Sequence, residues 1–262
     1  MEQTGKRSNG MRRHRPLLPL FWVAVVSLAV GAAAPELVGQ NDNVWADDAI
    51  PFADSEIFFE LNATDNDLGV QFFLDGESWK RVKIVSPSGC RIMEVDVKGS
   101  AKVIGLTELF SESAEPSLEE LPRDEFLALF PEGVYAFYGR TVEGDCLVGQ
   151  ATLTHDIPAA PAILAPAEDE AVDPSQPVII EWELAPDPGP PGSIIVAYQV
   201  IVEKDEEEER LRIFSVDVSS EATSVTVPPE FFELGKDYKV EVLAIETSGN
   251  KTISELSFKT SG

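Results

Sequence analysis

Histidine, cysteine and positive charge are scarce in this sequence of 262 residues, which has two His, two Cys and 20 Lys and Arg against 46 Asp and Glu. The formal net charge of −26 excludes a general nucleic-acid binder, because that function needs a cationic face. Zinc centres draw on several His or Cys, and there are too few here to build one. No nucleophile elbow, phosphate loop or dinucleotide fingerprint occurs. Outside the first 46 residues His155 stands alone as a histidine, in Thr152-Leu-Thr-His-Asp156, so a hydrolytic triad would have to be built on it. With so many carboxylates, spacing singles out no glycosidase pair. The expectation is a chain without catalytic residues.

Long apolar runs are also few, and the main one lies near the start. Lys6, Arg7, Arg12, Arg13 and Arg15 precede the apolar stretch 17–34, followed by small residues, which is the order of an export signal. Residues 1–46 are read as a signal peptide or membrane anchor. Cleavage fits after Gly31-Ala32-Ala33 or, preferably, after Val44-Trp45-Ala46. Retention as an anchor stays open, since 18 apolar residues reach the short end of a bilayer span of about 17–25 residues. Contact with a membrane is expected only if 17–34 is kept. Either way the remainder is expected outside the cytosol, secreted or periplasmic, with 15 basic against 43 acidic residues. Such a charge favours solubility, divalent cations and basic partners.

What is present is alternation. Short apolar-alternating runs between Gly, Pro, Asn and Asp clusters fill both halves, so the fold class is all-β with two β-sandwich domains. Three prolines in 157–166 mark a Pro/Ala linker between an N-terminal domain, 47–156, and a C-terminal one, 160–262. In the first, strands are expected at 55–62, 70–74, 79–85, 91–97, 102–104, 134–141 and 146–154, with a turn at Asp75-Gly76-Glu77. Residues 111–130 read as a short helical insertion, opened by the capping box Ser117-Leu-Glu-Glu120 and then by Pro122. The pattern from Trp79 through Ser86-Pro-Ser-Gly89 to Phe130-Pro-Glu-Gly-Val-Tyr135 resembles the secreted jelly-roll domains that accompany bacterial peptidases.

In the second half, strands at 163–165, 177–184, 196–204, 211–218, 223–227, 238–245 and 252–259 make seven in about 100 residues, the size of an immunoglobulin-like sandwich. Trp182 on the second strand, and Leu234-Gly-Lys-Asp-Tyr238 ahead of Val240, Val242 and Ala244, resemble a fibronectin type III domain and its tyrosine corner. That resemblance implies a binding, spacing or adhesion module without catalysis. No Arg-Gly-Asp occurs. The proline-rich loop 185–192 reads as a stiffened turn, and the acidic run 205–210 as a solvated hairpin tip.

Three site expectations follow. Ala63-Thr-Asp65-Asn-Asp67-Leu-Gly69 resembles the calcium turn of cadherin repeats, so Asp65, Asp67 and Asp75 are the candidate calcium ligands, with hairpin chemistry as the alternative. Glu56 and Glu60 could complete the set. Cys90 and Cys146, placed in an oxidising compartment, are candidates for a disulfide. Trp79, Tyr135 or Tyr138 would serve a polysaccharide-binding accessory of an exported enzyme if exposed, and the core if not. The leading functional expectation is a non-catalytic binding, adhesion or scaffolding protein whose partner is a protein or polysaccharide at the cell exterior.

Overall fold

The computed structural model describes residues 49–187, 193–205 and 213–262. The expected signal peptide or anchor, prolines 188, 190 and 191, and most of the acidic run lie outside these. In chain order the elements are β1 (Ile50–Pro51), β2 (Asp54–Asn62), β3 (Asp67–Val85), β4 (Arg91–Asp96), α1 (Ala101–Ile104), β5 (Leu106–Glu112), α2 (Arg123–Leu129), β6 (Gly133–Thr141) and β7 (Cys146–Leu153). They continue with β8 (Ala162–Ala165), β9 (Ala171–Val172), β10 (Val178–Glu183), β11 (Ile195–Lys204), β12 (Ile213–Ser219), β13 (Ser224–Val227), a 3₁₀ turn, β14 (Asp237–Glu246) and β15 (Lys251–Thr260). The fold class is all-β, as expected. Among the described residues no helix is long and apolar enough to cross a membrane.

Two hydrophobic cores account for the alternation. One joins Ile57, Phe59, Leu68, Val70, Phe72, Trp79, Ile84, Tyr135 and Phe137. The other joins Ile180, Trp182, Tyr198, Val200, Tyr238, Val240 and Phe258 between β15-β14-β11-β12 and the smaller sheet β13-β10-β8. Trp182 packs on Tyr198 at a ring distance of 5.6 Å. The tyrosine corner forms as expected: the Tyr238 hydroxyl accepts from the Glu233 N–H at 2.8 Å, and its ring stacks on Phe258 at 5.7 Å.

The first half departs from its expected strand pattern at several places. Asp75-Gly76-Glu77 is not a turn but the middle of β3, a single strand of 19 residues. Its first part pairs with β2 and β5, its second with β4 and β6, and the ladders shift register around Asp75 to Arg81. Glycine is needed at 76 for space, since a Cβ there would lie 2.8 Å from the Phe52 ring. The expected strand 102–104 is the helical turn α1, and the start of the expected insertion is the end of strand β5. Ser117 does cap, accepting from the Glu120 N–H at 3.3 Å, but on a turn; the helix begins after Pro122. From α2, Phe126 meets Phe59 at 6.0 Å and so closes one end of the core.

The segment 157–166 is built into the fold rather than spanning open space. Ile157 is buried in the first core, the Pro158 carbonyl accepts from the Thr252 hydroxyl at 2.6 Å, and Ala162–Ala165 is β8. The two cores also share one sheet, in the order β1-β7-β6-β3-β2-β15-β14-β11-β12.

Candidate functional site at the seam between the cores

The shared sheet exists because β2 and β15 each have one edge left over. They pair in parallel, Glu60 with Lys251, Thr252 with Leu61 and Ile253 with Asn62. The ladder is extended by Ala63 N–H donating to the Ile253 carbonyl at 2.9 Å, and by the Thr64 hydroxyl, which donates to the Glu255 carbonyl and accepts from its N–H at 3.0 Å. Further along, Asp169 N–H donates to the Ser257 carbonyl and Lys259 N–H to the Glu170 carbonyl, both at 2.8 Å. The whole outer edge of β15 is thus paired by two separate segments, which leaves few backbone groups unmet.

Asn250 locks this seam. It is fully buried, its Oδ1 accepts from the Phe59 N–H at 2.8 Å, and its Nδ2 donates to the Thr154 carbonyl at 3.0 Å and to Thr154 Oγ1 at 3.1 Å. Glu246, also buried, accepts from the backbone N–H groups of Ser248 at 2.9 Å and Asn250 at 3.2 Å, and from the Ser248 hydroxyl. One amide therefore joins β2, the end of β7 and the β14–β15 turn. A buried amide that makes all its bonds fixes geometry because each lost partner strands a desolvated group.

Beside the seam lies a half-buried cluster of carboxylates on the face of the sheet turned away from the first core. Glu60 comes from β2, Glu112 from β5 and Glu115 from the segment beyond it, and each offers an oxygen within 4.8 Å of the others. Gln71 donates to Glu112 at 3.1 Å. Room for Glu115 comes from Gly69, where a Cβ would stand 2.9 Å from the Glu115 Cγ. Asp67 Oδ1 is buried nearby with no hydrogen-bond partner among the described residues. Burial pushes Glu60 up to about 7 against the pull of Lys251, with Glu112 and Glu241 adding to the rise. Burial, then the charges of Glu112, Glu60 and Asp67, push Glu115 up to about 8. Burial, then Asp65, Glu255 and Glu112, push Asp67 up to about 6. Glu112 is raised as well, chiefly by burial. At neutral pH such a group shares protons, and its hard oxygens are of the kind that calcium takes, although calcium needs six to eight of them.

The expected calcium set is not assembled. Asp75 stands eight residues along β3 from Asp67, about 26 Å away at the strand rise, and cannot share an ion with it. Asp65 sits in a turn that Asn62 organises, its Oδ1 accepting from Thr64 at 2.9 Å and Asp65 at 3.1 Å. Glu60, weighed in the sequence only as a helper, is central, whereas Glu112 and Glu115 gave no signal. Their one trace is Gly69, a glycine within an alternating strand.

Three other expectations resolve here. Cys90 and Cys146 are free thiols. Cys90 precedes the Arg91–Val85 pair, while Cys146 faces Arg140, which faces Arg81. Three strand spacings across and four residues along put them about 20 Å apart, far beyond disulfide reach. Trp79 and Tyr135 are buried, and Tyr138 lies under Lys83 with the ammonium 5.0 Å from its ring centre, so these aromatics form no sugar platform. His155 is a packing residue, its Nε2 2.9 Å from the Phe130 carbonyl and its ring 5.8 Å from Phe59.

No family model matches the sequence, and no curated protein matches it either. Solved structures do. The first three fibronectin domains of chicken CNTN1 are 12% identical with a TM-score of 0.29, covering 83% of this chain and 69% of that one. Fibronectin(III)-like modules of Clostridium thermocellum CbhA are 8% identical with a TM-score of 0.33, covering 80% and 93%. A two-domain segment of chicken tenascin is 14% identical with a TM-score of 0.24, covering 77% and 97%. All three of these solved structures are fibronectin type III or fibronectin(III)-like modules.

Proposed function

We propose that the chain is an exported, non-catalytic module of the cell exterior that holds two β-sandwiches as one rigid piece for binding or scaffolding. The observation that carries this reading is the seam. A buried asparagine and a parallel ladder tie the cores together, where a linker would leave them to move independently. The basic-then-apolar start of the sequence supports export, and the large negative charge suits a soluble exterior surface. The partner is a protein or a polysaccharide in that compartment.

Three measurements test the reading. The full chain, carrying a reporter that matures only outside the cytosol, should become active in a bacterial host and reach external protease; cytosolic retention overturns it. Calorimetry of the full chain should give a single cooperative transition for both cores, with calorimetric and van't Hoff enthalpies in agreement. Two resolved transitions remove the rigid piece. Co-sedimentation with insoluble polysaccharides, compared with protein-coated beads, then separates the two partner classes.

A further inference from the structure

The pairings named above divide unevenly by direction. Among the described residues, β1 with β7, β2 with β15 and β9 with β15 are parallel, and every other ladder between named strands is antiparallel. The parallel ladders hold the two ends of the described unit. β1 is its first strand, fixed to β7 by Ile50 and Pro51 and by the Phe52 N–H donating to the Val148 carbonyl at 2.8 Å. β15 is its last, held by β2 at one end and by β9 at the other.

Register turns this into geometry. Glu60 lies opposite Lys251, so β2 extends six residues back to Asp54 while β15 runs nine residues forward to Thr260. At the rise of a strand, the chain enters and leaves this strand pair about 50 Å apart along the strand direction. A pull that separates those two points slides β2 and β15 lengthwise. Every link between them resists together: the Phe59–Asn250 bond, the three ladder pairs, the Ala63–Ile253 bond and the two Thr64–Glu255 bonds. Across the strands the same links open in turn, each meeting the force alone.

We propose that the seam is a clamp that carries tension from the N-terminal to the C-terminal end of the described unit. The clamp does not depend on where the chain resides or what it binds, and its mark is directional. Resistance to force follows the barrier along the pulling direction and not the equilibrium stability, which is the same for any direction.

The test is single-molecule pulling of the full chain through bio-orthogonal side-chain handles. Handles at residues 49 and 262 pull along the strands. Handles at 65 and 217 pull across them, because Asp217 stands on the level of Asn62 four strands away and Asp65 is in the turn just beyond. At equal loading rate the first pair should need about twofold or more the rupture force of the second, since shared links must fail together. Thr64→Val keeps the side-chain shape and removes both bonds to Glu255; it should lower the force along the strands while the melting temperature moves little. Asn250→Ala should lower it further if the variant folds. Equal forces in the two directions, or a Thr64→Val force along the strands equal to that of the unaltered chain, overturns the proposal.

Discussion

Replacing Glu60 by Gln puts the electrostatics of the carboxylate cluster to a quantitative test. A carboxylate whose pKa is raised on folding keeps its proton in the folded state over a range where the unfolded chain has lost it, so stability falls as pH rises through that range. For Glu60 the window runs from the ordinary 4.5 to about 7. Below it the group costs nothing, and above it the full cost of a buried, repelled carboxylate applies. At 1.36 kcal/mol per pH unit, a rise of about 2.5 units costs about 3 kcal/mol, a net figure in which the attraction of Lys251 is already counted. Glu115, raised to about 8, extends the decline to higher pH. Glu60→Gln should therefore be near neutral at pH 5 and stabilising at pH 8 by about 3 kcal/mol, or roughly 6 to 12 °C in melting temperature for a chain of this size. Urea unfolding of both proteins at intervals from pH 5 to pH 9 measures this directly. Stability of the unaltered protein that stays level or rises between pH 5 and pH 8, or a Gln variant equally destabilised throughout, would falsify the reasoning.

Other substitutions probe the frame. Asn250→Ala leaves the Phe59 N–H and the Thr154 carbonyl buried without their partner and should cost about 3 kcal/mol in chemical denaturation, with loss of the single calorimetric transition. Gly76→Ala drives a methyl into the Phe52 ring and should cost about 1–3 kcal/mol by the same assay, although alanine is otherwise the mildest replacement. Tyr238→Phe keeps the ring stack and removes the acceptor for Glu233, for a loss of about 1 kcal/mol. Cys90→Ser with Cys146→Ser should leave the melting temperature unchanged under oxidising conditions, whereas a drop of several degrees would mean that the two thiols do meet.

The second sandwich was legible because its signals are local. Trp182, Tyr198 and Tyr238 alternate with polar neighbours on strands short enough for one face to be read, and the tyrosine corner joins residues five apart. The first half misled where glycine had two meanings. In Asp75-Gly76-Glu77 the residue types of a turn mark a bend within one strand, because what Gly76 supplies is space for Phe52, a residue more than 20 positions away. The cluster was hidden for the same reason. Glu60, Glu112 and Glu115 are ordinary acidic residues in a chain with dozens, and they converge only because β3 lies between β2 and β5. The seam was the least legible part. Asn250-Lys-Thr252 reads as a glycosylation sequon or a hairpin tip, and nothing near it says that its amide belongs to Phe59.

That bond also sets an order of events in folding. Phe59 and Asn250 are 191 residues apart in sequence, so the N-terminal core can close long before the strand that completes its sheet has been made. Until then β2 presents a bare edge carrying Phe58 and Leu61, the kind of template on which chains pair with one another. A chain cut short before Lys251 would keep its first core and lose the cover of that edge, and its fate would be aggregation, not a smaller soluble fragment. Strand β15 is therefore a quality check on the first half: its synthesis, and not the stability of either core, decides when the edge of β2 becomes safe to leave unattended.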